Sequence, residues 1–220
     1  MLRPSKFWDR HAKGYARRPV PDPASYEKKL EMTRAYLKPD MQVLELGCGT
    51  GTTALIHAPR IGHITAVDIS GGMLRIAREK AAAAGIANVT FQQSSIDDFN
   101  APEASYDVVM CHSILHLLEN KEDVIAKVWR MLKPDGLFVS STGCLKGLFA
   151  PLRFILSVGH FLGLLPMIKF FSIEELTEDF AAAGFQIDQQ MRSEKSDSIF
   201  VVAKKHTTAA SPASAKETSG

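Results

Sequence analysis

Residues 43–51 read Val43-Leu44-Glu45-Leu46-Gly47-Cys48-Gly49-Thr50-Gly51. A short apolar run leads into glycines at every second position. Glycine permits left-handed backbone and puts no Cβ between a turn and a ligand. A helix starting near Gly51 turns its free N–H groups toward the same place. The stretch therefore predicts a strand, a tight turn and a helix, the unit that opens many nucleotide-binding sheets.

The pattern repeats on the C-terminal side. His63 to Val67 reads as a second strand, Asn88 to Gln92 as a third, Tyr106 to Cys111 as a fourth and Leu137 to Ser141 as a fifth. Between them lie helical stretches from Gly72 to Ala84, with Ser70 as cap, and from Lys121 to Leu132, with Asn120 as cap. Strands alternating with helices at this spacing predict a parallel sheet covered on both faces. Ser172-Ile173-Glu174-Glu175 is a capping box that opens a helix ending at Gly184. Phe185 to Met191 and Ser198 to Lys204 then read as a terminal strand pair. On the N-terminal side, Ser5 to Arg18 reads as a helix carrying Phe7, Trp8, His11 and Tyr15. Asp22 and Pro23 open a second helix, expected to reach about Leu37.

At 220 residues the chain predicts one domain over 1–205, with a disordered tail at 206–220. Lys and Arg number 26 and Asp and Glu 24, so the net charge is +2 and no nucleic-acid partner is expected. Cys48, Cys111 and Cys144 form neither a CxxC pair nor a zinc spacing. A reducing, cytoplasmic setting without a bound metal is the expectation. The N-terminus has no apolar stretch of the secretory type.

The glycine turn has the form G-x-G-x-G, because Thr52 stands where a dinucleotide fingerprint places its third glycine. It also lacks the lysine of a phosphate-binding loop. With Ala66-Val67-Asp68-Ile69-Ser70, Tyr106 to Cys111 and Leu132 to Gly136, it resembles the class I S-adenosylmethionine-dependent methyltransferases over roughly residues 40–142. The resemblance implies an α/β, Rossmann-like, doubly wound and mainly parallel seven-stranded sheet with one reversed strand. It implies S-adenosylmethionine as cofactor and S-adenosylhomocysteine as product. Gly47, Cys48, Gly49 and Gly51 would face the methionine portion, and Glu45 is part of the same signature. Asp68 would accept the ribose hydroxyls, with Ile69 and Met73 beside the adenine. Ser94-Ser95-Ile96 stands where the family often has Gly-Asp-Ala. Ser95 would then take the adenine amino group and the Ile96 N–H the ring, with Asp97 or Asp98 as alternative carboxylates. For Glu45 an ordinary salt bridge to an N-terminal helix is the competing reading.

Transfer of a methyl group from a sulfonium is an in-line displacement, in which alignment does much of the work. Where a proton must leave, histidine is the usual base. His112 follows strand four, His116 lies one helical turn later, and His11 and Tyr15 belong to the N-terminal helices, 1–38, which the family often uses as a lid. Each has packing or capping as its ordinary alternative. Strand four runs into His112-Ser113-Ile114-Leu115, without the Asn/Asp-Pro-Pro-aromatic motif of many nucleobase and glutamine methyltransferases. The expected acceptor is a small apolar or amphiphilic molecule. The apolar segment 145–171, with Arg153, His160 and Lys169, is read as its wall, as core or dimer packing, or as a peripheral membrane contact. A quinone or phospholipid methyltransferase at a membrane surface and a non-catalytic S-adenosylmethionine-binding protein are the rival functions. A catalyst needs an open path from cofactor to acceptor pocket, whereas a sensor does not. Oligomeric state is left open.

Overall fold

Seven strands form one sheet in the order β3-β2-β1-β4-β5-β7-β6. They are β1 (Gln42–Leu46), β2 (His63–Asp68), β3 (Val89–Gln93), β4 (Tyr106–His112), β5 (Leu132–Gly143), β6 (Phe185–Arg192) and β7 (Ser198–Lys205). The computed structural model describes residues 4–147, 150–161, 165–193 and 197–206, without the side chains of residues 150 and 153. Strands β3 to β5 pair in parallel. β7 is antiparallel to both β5 and β6, and is the single reversed strand. The doubly wound sheet expected from the sequence is therefore the one observed.

The helices are α1 (Pro4–Ala16), α2 (Pro23–Arg34), α3 (Thr52–His57), α4 (Gly71–Ala83), α5 (Lys121–Met131), α6 (Ala150–Phe161) and α7 (Ile173–Ala182). Side chains alternate across the sheet and feed two cores. Leu44, Val109, Phe138 and Val201 pack against Val124 and Val128 of α5 and Leu176 and Phe180 of α7. Val43, Ile64, Val108 and Val202 pack against Ala54 of α3 and Leu74 of α4. Phe138, Phe180 and Phe185 meet in one aromatic cluster, with centroids 5.1, 5.6 and 5.8 Å apart. Truncating such a ring to alanine costs about 3–5 kcal/mol.

Three caps follow the sequence. Asp22 accepts the Ser25 N–H at 3.2 Å, Ser70 accepts that of Met73 at 3.1 Å, and Ser172 with Glu175 forms both bonds of the capping box. Asn120 stands at the N-cap of α5 as expected, without the expected bond. Its side chain makes no cap bond, and its amide donates instead to Asp123 at 3.2 Å. Glu122 and Asp123 in the first turn of α5 oppose the positive helix end in its place.

Two boundaries also move. α2 stops at Arg34, and Tyr36 and Leu37 turn inward against the second core. β5 begins at Leu132, which pairs with Tyr106 before the left-handed Asp135 turns the chain. Within the apolar segment, residues 150–161 form α6, and farther on the Lys169 N–H reaches the His116 carbonyl at 2.8 Å. No described helix is long and apolar enough to cross a membrane. The expected disordered tail, from residue 207 onward, lies outside the described residues.

Candidate cofactor and acceptor site

β1 and β4 are neighbours, and the chain leaves them toward opposite edges of the sheet, to β2 and to β5. Such a switch point opens a crevice at the carboxyl ends of the strands. The glycine turn sits in it. Gly47, Gly49 and Gly51 all have positive φ, at +71°, +54° and +71°. The Gly47 and Cys48 N–H groups donate to the Val67 carbonyl at 2.8 and 3.0 Å, which ties the turn to β2. A Cβ on Gly47 would meet Ile114 at 2.9 Å, and one on Gly51 would meet Ala77 at 2.9 Å. Those two glycines are demanded by packing. Gly49 has only the Tyr15 ring nearby, at 3.9 Å, so it faces open space.

That space is a cavity of about 470 Å³ lined by Tyr15, Glu45, Gly47, Cys48, Gly49 and His112, among others. Glu45 is 2% exposed, and its Oε2 is buried without a hydrogen-bond partner. Burial pushes its carboxyl up to about 8, the Ala54 N–H opposes this, and the Asp68 charge adds to it. Among the described residues it makes no ion pair, so the helix salt bridge is not found. An orphaned carboxyl oxygen and an unobstructed glycine fit a ligand that carries an ammonium group, whose charge favours the ionised form, and approaches the backbone closely.

Asp68 braces the turn from the end of β2. Its Oδ2 accepts the Gly49 N–H and its Oδ1 the Ser70 N–H, both at 2.8 Å. Burial raises its pKa, and those N–H groups pull it back. Asp9 of α1 reaches over the same corner, accepting the Ser70 hydroxyl at 2.6 Å and the Gly72 N–H at 2.8 Å. α1 is thus latched onto the N-terminus of α4. Beneath it Met73 is 2% and Ile96 8% exposed. Asp68, Ile69, Met73, Ser95 and Ile96 are not among the cavity's lining residues. Ser95 is engaged locally, since its hydroxyl donates to Asp98 at 2.7 Å and accepts the Asp98 N–H at 3.0 Å.

A second cavity, of about 250 Å³, adjoins the first between α2, α3 and the ends of β4 and β5. Val20, Pro21, Tyr26, Thr53, His112 and Ser113 line both. Of the proton-handling candidates, His112 and Tyr15 reach these walls; His11 and His116 do not. His11 Nδ1 lies 2.7 Å from the Phe7 carbonyl, with its ring stacked on Phe7. His116 Nδ1 is 3.0 Å from the Thr142 hydroxyl. A 3₁₀ turn at Leu115–Leu117, in place of an α-helix, removes the one-turn spacing that would have aligned it with His112. His160 Nδ1 lies 3.4 Å from the Leu165 carbonyl. No group of three or more potential metal ligands occurs among the described residues.

Several wall residues escape the sequence reading. Lys29, Tyr26 and Thr53 come from α2 and α3, and Ser141 from β5. Ser113 turns left-handed at φ +56°, and its N–H donates to the Ser141 carbonyl at 2.6 Å. A strained serine between two cavities is the kind of outlier that marks a working site.

Residues 43–136 match the family described as a methyltransferase domain. Over those residues the chain carries a methyltransferase domain of the class I S-adenosylmethionine-dependent type. An uncharacterized methyltransferase from Bacillus subtilis, YcgJ, is 31% identical over 110 residues, covering 50% of this chain and 44% of its own. A demethylmenaquinone methyltransferase of Symbiobacterium thermophilum is 28% identical over 150 residues, covering 65% of this chain and 58% of its own. The chain thus spans about half the length of these relatives. A Haemonchus contortus phosphoethanolamine N-methyltransferase, solved with S-adenosylhomocysteine, shares the fold at TM-score 0.77 and 16% identity, over 94% of this chain and 61% of that one.

Proposed function

We propose that this methyltransferase moves the methyl group of S-adenosylmethionine to a small amphiphilic molecule seated in the second cavity. The adjacency of the two cavities carries the reading, since the six residues that line both put a ligand in one next to a ligand in the other. The cofactor supplies an electrophilic methyl on a sulfonium. Gly49 lets its amino-acid portion approach, and the Glu45 oxygen receives its ammonium. Asp68 takes the ribose hydroxyls, and Ile69, Met73, Ser95 and Ile96 border the adenine once α1 shifts.

Burial, then His57, then Lys29 push His112 down to about 3, so its ring is neutral near pH 7. A neutral imidazole orients an acceptor by hydrogen bonding but takes a proton weakly. Tyr15, raised first by burial, stays protonated and roofs the glycine turn. Alignment thus does most of the work.

Calorimetric titration with S-adenosylmethionine, S-adenosylhomocysteine and NADH tests this. The first two should bind and NADH should not. Binding of NADH alone would overturn the reading.

A second reading rests on α6. Phe154, Ile155 and Phe161 are 70, 60 and 73% exposed. Residues 136–173 contain no Asp or Glu. The demethylmenaquinone enzyme named above is compatible with an acceptor delivered at a lipid surface. Sedimentation with phosphatidylglycerol vesicles that Phe154→Asp and Phe161→Asp abolish supports it, and equal partition without vesicles removes it.

A further inference from the structure

Lys29 of α2 reaches inward across the second cavity. Its Nζ donates to the Ser141 hydroxyl at 3.0 Å, over 112 residues of sequence. Ser141 is paired in register with His112, so the lysine sits beside the end of β4. An ammonium has three donors. Among the described residues this one has a single hydrogen-bond acceptor and no ion pair. Burial lowers its pKa, with Asp22 opposing. Asp22 is the sole carboxylate among the described lining residues, and it caps α2 by accepting the Ser25 N–H.

The rest of the wall matches that charge. Ser25, Tyr26, Thr53, Ser113 and Ser141 place hydroxyls around the cavity, while Val20, Pro21 and Leu30 supply an apolar side. A partly buried cation with spare donors, ringed by hydroxyls, is poorly used by a neutral hydrocarbon. It is well used by an anionic oxygen, which accepts several charge-assisted hydrogen bonds at once.

We infer that the acceptor carries an anionic oxygen, a carboxylate or a group of comparable charge, and that Lys29 and the surrounding hydroxyls hold it while its apolar body rests on Val20, Pro21 and Leu30. This rests on the reading of the second cavity as the acceptor's. Lys29 becomes the residue that selects charged over neutral acceptors of the same shape. Its distance from the glycine turn separates it from cofactor binding, since it lines the second cavity and not the first.

Benzoate and its neutral isostere benzamide are the probes, titrated at constant ionic strength into the full chain saturated with S-adenosylhomocysteine. Benzoate should bind about tenfold more tightly, or better, as expected for one charge-assisted hydrogen bond. Lys29→Met should erase that preference and Lys29→Arg should keep most of it. Lys29→Gln replaces the methionine variant should that one fail to fold, and S-adenosylhomocysteine affinity is the folding control. Equal affinity for the two probes, no binding of either, or a preference that survives both neutral variants overturns the inference. If S-adenosylhomocysteine does not bind, the titration is run without it. A Lys29-dependent benzoate preference there upholds the anion site and removes the methyl-transfer reading instead.

Discussion

The Asp68 carboxylate receives the Gly49 N–H at 2.8 Å, joining the tip of β2 to the one glycine of the turn that faces open space. A carboxylate oxygen has a second lone-pair direction, so Asp68 can brace the turn and still accept from a ligand hydroxyl. Asp68→Ala should therefore weaken S-adenosylhomocysteine about tenfold or more. Asp68→Asn, which keeps one acceptor oxygen, should fall between. Calorimetry on folded variants reads this directly, and unchanged affinity in Asp68→Ala removes the ribose role.

Glu45 gives a prediction with a defined sign. Its folded pKa, about 8, lies above the ordinary 4.5. The native state holds a proton that the unfolded state has released between those values, so stability falls as pH rises through that window and levels off above it. Glu45→Gln removes the effect. Its melting temperature should exceed the parent's by more at pH 8 than at pH 5, while S-adenosylhomocysteine affinity drops because the ammonium loses its counter-charge. A melting difference that does not change with pH would show that the buried oxygen is partnered in solution.

The sheet was legible because its signal is local. Short continuous apolar runs and the turn chemistry at Gly47, Gly49 and Gly51 are written in consecutive residues, as are the Ser70 and Ser172 caps. The acceptor wall was not, because Lys29 and Ser141 meet only through the fold. No spacing rule links α2 to β5. His116 misled for the opposite reason, since the one-turn rule that paired it with His112 assumes an α-helix and the chain makes a 3₁₀ turn. Ser95 shows a third limit. Its hydroxyl is the right group for an adenine amine, yet Asp98 three residues on claims it first.

Asp9 holds α1 to α4 through Ser70 and Gly72. Those hydrogen bonds lower its pKa, the Ser70 hydroxyl more than the Gly72 N–H. Removing the acceptor leaves the Ser70 hydroxyl and the Gly72 N–H without this partner and frees α1. Asp9→Ala should speed S-adenosylhomocysteine dissociation several-fold and raise hydrogen exchange across residues 4–16, with little change in exchange for β1 and β4. Exchange in 4–16 that matches the parent would mean that the aromatic side chains of α1, not the carboxylate, hold it down.

His57 of α3 is fully buried, with neither ring nitrogen hydrogen-bonded. Burial, then Arg34, then Arg60 lower its pKa to about 4 from 6.5. In that interval the unfolded chain binds a proton that the native chain refuses, so stability falls as pH drops from about 6.5 toward 4. His57→Leu keeps an apolar side chain among Ala54, Ala58 and Ile61 and cannot take the proton. The variant should melt higher than the parent at pH 5 by more than it does at pH 7.5. The same difference at both values would place the histidine's cost in its unpaired nitrogens alone.

The histidine that ends β4 and the one four residues beyond it should part in their effects. His116 is bonded to Thr142 through its ring, so His116→Ala should lower the melting temperature and leave the kcat of the folded fraction close to that of the parent. His112 lines both cavities. His112→Ala should lower kcat about tenfold or more while changing S-adenosylhomocysteine affinity far less. Because its conjugate acid is suppressed to about 3, the parent's kcat should show no inflection near pH 6.5. An inflection there that His112→Ala abolishes would mean that the ring is solvated and titrates as a base in the working enzyme. Normal turnover in His112→Ala would take the residue out of the reaction altogether.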